Sequence, residues 1–360
     1  MVTPYRITLA RRRRELRINE LARLLHIHTQ TLSNYENGRH QPADEVVDQI
    51  AEVLRFPVKF FYLGDVDPIE AEAISFRARS KLAPRRRELA RAVGELVVEL
   101  HKWITGRFRL PEPDLPTLGK PDPETAAVMV RSQWGLGLAP ISNMVHLLES
   151  HGVRVFSLAP EYEDVDAFSF VRDSTPFVFL NTRKSAERSR FDAAHELGHL
   201  ILHGEERPVD RPQAEEEAHA FARAFLMPAD SVVAHMPPSP FVDQILKGKK
   251  IWKVSALALT YRLHDLGVMS DWNYRQACIE LGKRGYKTGE PDGAARETSQ
   301  LLDKVLRALR AKGIGTRQIE HDLAIPAQMV NDFVFGLTIV ALAGDGGGPR
   351  ERSHLRLLEA

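Results

Sequence analysis

The chain has 360 residues, 43% of them hydrophobic, and its 49 Lys/Arg nearly cancel 48 Asp/Glu to a net charge of +1. That length suggests two or three domains, and that apolar share is enough for real cores. The single cysteine, Cys278, excludes a disulfide framework and fits a reducing compartment. The charge balance leaves any nucleic-acid binding to a local patch. The start of the chain carries no leader-like apolar segment, and no run of 18 apolar residues occurs anywhere. The expectation is a cytoplasmic protein with no membrane span.

Residues 6–64 read as five short helices. They cover 7–15, 20–25 (capped by Asn19), 29–36, 43–54 and 57–62. Leu21, Leu24, Leu32, Tyr35, Val46, Ile50, Val53, Leu54 and Phe60 supply a small core. Asn37-Gly38 suits the left-handed end of the third helix. Two helices joined by a short turn in such a bundle make a helix-turn-helix. The run Arg11 to Arg14 reads as the solvated face of the first helix, able to touch phosphate near DNA. Over residues 1–64, ten Lys/Arg stand against seven Asp/Glu, a surplus of three.

Ile18-Asn19-Glu20-Leu21-Ala22, then Thr31-Leu32-Ser33-Asn34-Tyr35-Glu36-Asn37-Gly38-Arg39 and Gln41-Pro42, resembles the Xre/Cro/C1 repressor family. The resemblance implies a five-helix, lambda-repressor-like domain whose helix 29–36 enters the major groove of a double-stranded operator. Gln30, Thr31 and Asn34 are then candidate base readers, because amide side chains can pair with adenine. Thr29 and Ser33 lie on the same helix, and Arg39 would sit on phosphate. Such domains commonly act as dimers on two half-sites, so a homodimer is anticipated.

Beyond this point an arginine-rich connector opens at Phe76, and 85–103 is helical by period. The Leu110-Pro111-Glu112-Pro113-Asp114-Leu115-Pro116 segment reads as an extended surface crossing. Helices are expected at 124–134 and 141–150. Strands are expected at 153–158, 168–171 and 176–180. A small sheet there offers an edge on which an extended peptide can add as a strand.

Phe191-Asp192-Ala193-Ala194-His195-Glu196-Leu197-Gly198-His199 carries H-E-x-x-H inside an apolar-periodic run. On a helix, His195 and His199 share a face and can offer two imidazoles to one Zn2+ ion. Glu196 between them can take a proton from an attacking water, the chemistry of peptide hydrolysis. Ser189-x-x-Asp192 reads as a capping box at the helix start. Gly198 breaks the helix rule at a cost of about 1 kcal/mol relative to Ala, as happens where function demands close approach.

A zinc site needs a third protein ligand and an open position. The following helix, 215–226, opens on three glutamates and stops at Pro228. Glu217 shares a face with Phe221 and Ala224 and is the chosen ligand, with Glu215 and Glu216 as alternatives. His203 lies two turns past His195 and is assigned to the surroundings of the site or to the surface.

The segments 191–203 and Glu217-Ala218-x-x-Phe221-Ala222 through Leu226-Met227-Pro228, in this order after the strands, resemble the ImmA/IrrE metallopeptidase family. His219 departs from the resemblance, which favours asparagine there. The resemblance implies a zincin-like fold and zinc-dependent cleavage of a partner protein, an Xre-type repressor, in a stress or mobile-element response. Self-cleavage is the variant of this reading. The alternative is an Xre-type regulator or antitoxin-like protein whose peptidase-like domain senses a signal or binds a partner without proteolysis.

Toward the C-terminus, 252–266 and 271–281 read as helices behind the peptidase, and 285–291 as a turn-rich loop. An amphipathic helix follows at 299–312, then a helix-turn-helix rhythm at 316–336 that is assigned to scaffold. Residues 344–348 and the charged tail are expected to be disordered. The expected fold is mainly α with a small β-sheet, α+β. Its expected division is a DNA-binding domain at 1–66, a connector at 67–120, a peptidase at 121–290 and a helical region at 291–360.

Overall fold

The computed structural model describes residues 1–70, 74–78, 83–119, 121–158, 165–204 and 211–338. Side chains of 75–78 and 211 are not among those described, and the glycine-rich tail falls outside. The layout is α+β. In chain order the helices begin with α1 (Pro4–Arg13), α2 (Ile18–Leu24), α3 (Thr29–Glu36) and α4 (Asp44–Leu54), followed by a 3-10 turn at Val58–Tyr62. Strand β1 (Ser75–Ala78) precedes α5 (Pro84–Thr105), α6 (Pro123–Gln133) and α7 (Met144–Ser150). Strands β2 (Arg154–Ser157), β3 (Val165–Arg172) and β4 (Thr175–Leu180) lead into α8 (Ala186–Leu202) and α9 (Arg211–Leu226). Then come α10 (Ala229–His235), α11 (Val242–Trp252), α12 (Ala256–Asp265) and α13 (Asp271–Lys283). The last are α14 (Gln300–Ala311), α15 (Thr316–Leu323) and α16 (Ala327–Val334).

These elements form two compact units. One comprises Met1–Ile74, Ala78–Leu110 and the described part of Leu301–Ala360; the other comprises Ser75–Arg77 and Pro111–Gln300. The stretch 67–120 therefore forms no body of its own, and α14 to α16 belong with the N-terminal helices.

In the first unit, α2 starts at Ile18 rather than at an Asn19 cap. The Glu20 carboxylate reaches back to accept from the Arg17 backbone N–H at 2.6 Å, which satisfies an orphan donor of the first turn. Leu21, Leu32, Ile50, Leu54 and Phe60 are buried as expected. Leu25 and Val47 take the inward places expected for Leu24 and Val46, and Leu24 is 52% exposed. Val47 lies three, four and seven residues before Ile50, Ala51 and Leu54, the spacing of one helical face.

The Arg11 to Arg14 run is not a solvated face. Arg11 donates to both carboxylate oxygens of Glu36, at 2.6 and 2.8 Å. Arg14 donates to the Leu54 and Arg55 carbonyls at the end of α4. Arg12 pairs with Glu88 on α5, and Arg13 is buried. Most of these charges are thus committed to holding α1 against its neighbours.

α5 also receives the Tyr5 hydroxyl on Glu95, a carboxyl pushed up by burial against the pull of Ile69 N–H, Tyr5 and Arg91. Its other end meets the C-terminal helices. Leu100, Trp103 and Ile104 pack with Leu302, Val305, Leu309, Ile319, Val330 and Val334. The Trp103 indole donates to Asp322 at 2.9 Å, and Lys59 donates to the His321 carbonyl.

The second unit is built on a four-stranded sheet of order β1-β3-β4-β2. β3 and β4 form an antiparallel hairpin, with Phe168 opposite Phe179 and Phe170 opposite Phe177. Its turn is Asp173-Ser174, both at positive φ (48° and 57°), the backbone a tight two-residue hairpin demands. β2 pairs with β4 in parallel. The sequence places no strand at 75–78, but β1 occupies the β3 edge of the sheet.

The proline-rich segment is extended and pinned. Asp114 N–H donates to the His151 carbonyl, Arg154 donates to the Pro111 carbonyl, and Gly152 sits beneath at φ +78°. A Cβ there would lie 2.3 Å from the Glu112 carbonyl oxygen. The helix expected at 252–266 is α12, which starts later, on the Ser255 side chain; Trp252 closes the preceding α11, whose cap Lys253 is in the left-handed region.

Candidate metal centre and nucleic-acid interface

α8 starts a turn before the expected capping box. Ser185 accepts from the Arg188 N–H, whereas Asp192 is buried and accepts from Lys184. The same lysine pairs with Asp166 on β3, so the helix base is tied to the sheet. Arg190 donates to the Ile141 carbonyl and pairs with Glu297. At the far end of α9, buried Arg131 donates to the carbonyl of Phe225 at 2.6 Å and to those of Gly137 and Ala139. Desolvation lowers this guanidinium to about 10. These contacts tie α8 and α9 to the elements around them.

The crossing is at Gly198. A Cβ there would stand 3.1 Å from the Phe221 ring and 3.2 Å from both Cα and O of Ala218. A Cβ here would have to push these neighbours back by a few tenths of an ångström, so glycine lets the two backbones approach this closely. The residues beside the crossing are His199 on α8 and His219 on α9.

Three donor groups converge on this face. His195 Nε2 and His199 Nε2 lie 3.1 Å apart. Glu215 places Oε2 3.3 Å from His195 Nε2 and Oε1 3.3 Å from His199 Nε2. A tetrahedral zinc ion with bonds of about 2.0–2.1 Å holds its ligand atoms about 3.3–3.4 Å apart. Each imidazole nitrogen is therefore about one ligand–ligand distance from the other and from one of the two Glu215 oxygens, and the donor types suit the ion. His195 is wholly buried and His199 nearly so, while Glu215 stays 35% exposed. The site thus opens to solvent on the α9 side. Burial alone would raise the Glu215 carboxyl, but its bonds to His195 and His199 prevail and hold it well below the usual carboxylate range.

Glu217, the ligand chosen from the sequence, goes elsewhere. Its carboxylate meets His203 Nε2 at 3.0 Å and accepts from Gln213 at 2.7 Å. Glu215 and Glu217 are two residues apart, about 200° around a helix, so only one of them can face the histidine pair. The apolar face that Glu217 was assigned to is set by Phe221, but the approach to α8 is centred on Ala218. Glu216 is exposed.

His203 is not a surface residue. Its Nδ1 lies 3.2 Å from His199 Nδ1. If His199 offers its Nε2 lone pair to a cation, its proton sits on Nδ1 and is donated to His203. His203 must then carry its own proton on Nε2 and donate it to Glu217. Burial lowers the His203 pKa against the opposing pull of Glu217, which favours the neutral ring this chain requires. The hydrogen bond from His203 keeps the Glu217 carboxyl low, hence ionised as acceptor. Carboxylate–histidine support of this kind fixes the tautomer and orientation of a metal-binding imidazole.

Glu196 is fully buried and accepts from the Ser169 hydroxyl of β3 at 2.6 Å. Ser169, invisible as a site residue in the sequence, is the residue through which β3 meets Glu196 of the H-E-x-x-H helix. His219, one turn beyond Glu215, has its ring centred 4.5 Å from that of His195.

In the other unit, α3 lies on the surface. Thr29, Gln30 and Arg39 are exposed, and Thr31, Ser33 and Asn34 are partly so. Gln30 donates to Asn34 at 3.1 Å, which lines up two amides one turn apart. The paired Arg11 and Glu36 anchor the far end of this helix to α1. Gly38, at φ +70°, ends it as the sequence expects.

Residues 148–264 match the family model of the IrrE N-terminal-like domain. Residues 6–59 match that of a helix-turn-helix domain. No curated protein matches the chain. No helix among the described residues is long and apolar enough to cross a membrane.

Proposed function

We propose that this chain, which joins a helix-turn-helix domain to an IrrE N-terminal-like domain, is a DNA-binding regulator that hydrolyses a peptide bond in a partner protein with the help of zinc. The observation that carries this reading is the trio His195, His199 and Glu215, spaced 3.1–3.3 Å apart, with Glu196 on the same helix. His195, His199 and Glu215 would hold the ion. When bound, the ion supplies Lewis acidity, activating water and polarising the substrate carbonyl. Glu196 takes the proton of the attacking water and passes it to the leaving amine. Ser169 holds Glu196 in place for both transfers.

The substrate is an extended segment of a protein, lying along the sheet edge. Among the described residues β1 fills the side of β3, so β1 and β2 are the edge strands that a further strand can join. The helix-turn-helix brings this activity to an operator, or to a repressor bound on one. Gln30, Thr31 and Asn34 would read bases, and Thr29, Ser33 and Arg39 would complete the contact with double-stranded DNA. A cytoplasmic regulator that acts as a homodimer on two half-sites, and whose substrate is an Xre-type repressor, fits this arrangement.

The test is the Glu196→Gln variant of the full chain, incubated with zinc and a small helix-turn-helix repressor from the neighbouring genes. Zinc is expected to bind as in the parent, and cleavage read by fragment mass is expected to fall by roughly 10²–10⁴-fold. Cleavage at the parental rate would sink the mechanism. If neither chain cleaves and DNA footprints change on chelation, the zinc domain is a sensor and not a peptidase.

A further inference from the structure

The two helices that meet at Gly198 present matching pairs. α8 shows His195 and His199 one turn apart, and α9 shows Glu215 and His219 one turn apart, each pair on one face. The donor atoms of His195, Glu215 and His219 all lie within 4.8 Å of one another. Two overlapping trios therefore share His195 and Glu215: one completed by His199, the other by His219.

The number of protein ligands decides what a zinc ion can do. Three leave a position for water and substrate, and four close the site. We propose that His219 is a fourth protein ligand, so that the resting chain holds its metal closed and hydrolytically silent. Turnover then requires His219 to leave. This inference rests on the metal reading above and adds latency to it.

The reach is short. A tetrahedral edge is about 3.3 Å, so relative to His195 and Glu215 the His219 nitrogen has at most about 1.5 Å to travel, within what a change of imidazole rotamer provides. The other side of its ring faces Phe191, with centroids 5.9 Å apart. His219 is only half-buried, which gives the ring somewhere to go when it is displaced. A protein segment entering from the open, α9 side of the site would meet His219 before it met Glu196. Displacement by a substrate carbonyl would then couple substrate entry to opening.

The experiment compares the full-length parent with His219→Ala and His219→Phe, the latter keeping a ring without a donor. Two readouts stand apart from activity: zinc affinity by competition with a chromophoric chelator, and the visible spectrum of the Co2+-loaded protein. The parent is expected to show the intense bands of a four-coordinate tetrahedral site. In both variants water takes the fourth position, so these bands should shift and become sensitive to pH and added anions; both should bind zinc on the order of 100-fold more weakly, and cleave peptide faster than the parent once saturated with zinc. Unchanged affinity and spectrum in both variants would overturn the inference and leave the peptidase reading intact. Unchanged affinity with slower cleavage would also overturn it, since His219 would then act on the substrate. A parent that binds neither zinc nor Co2+ would remove the metal reading itself, and this inference with it.

Discussion

Glu215 and Glu217 differ by two positions and meet different partners. The first faces both zinc-type histidines, and the second faces His203. Their removal should therefore have different effects. Glu215→Gln is expected to abolish tight zinc binding. Glu217→Gln and His203→Ala should weaken it by roughly 10–100-fold through the loosened His199 ring. Chelator competition on the three variants decides the order, and equal losses at Glu215 and Glu217 would refute the assignment. On the DNA side, Asn34→Ala should relax specificity at one base pair at a cost of about 1–3 kcal/mol, while Arg39→Ala should weaken all sequences alike and lower the salt slope by about one. Binding titrations at several salt concentrations separate the two. The histidine pair and its glutamate were legible because the four-residue spacing is local. Which glutamate meets the pair was not, because it depends on how α9 is rotated against α8.

At the scale of elements, the approach of α8 to α9 is set by one missing side chain. Gly198→Ala would gain about 1 kcal/mol of helix propensity. It would also drive a methyl against Ala218 backbone atoms at 3.2 Å, and overpacking of this kind costs about 1–3 kcal/mol. The variant is expected to melt earlier and bind zinc less tightly, because α9 and Glu215 move outward. A higher melting temperature with parental zinc affinity would show that the helices have slack. The sequence marks Gly198 as a broken rule but does not name what approaches it. Likewise the helix-turn-helix is readable from its motif, whereas the roles of Arg11, Arg12 and Arg14 are not. A run of four arginines reads as a solvated face until the elements around it supply Glu36, Glu88 and the free carbonyls of α4.

Over the whole molecule, α14 to α16 complete the N-terminal unit by covering α5. Trp103→Ala should therefore cost about 3–5 kcal/mol, read as a lower urea midpoint for DNA binding, with zinc affinity unchanged. A loss of zinc affinity of similar size would contradict the division into two units. Sequence alone determined the content of each part: a helix-turn-helix, a short run of strands and a histidine helix followed by an acidic one. All of these are written in spacings of a few residues, which local backbone geometry converts directly into a shared face. Tertiary structure alone decided which glutamate faces the histidines, that β1 joins the sheet, and that the last helices pack with the first. Each of those depends on contacts between segments tens to hundreds of residues apart. Such pairings are selected by shape and by burial of the combined core, and no local period encodes them.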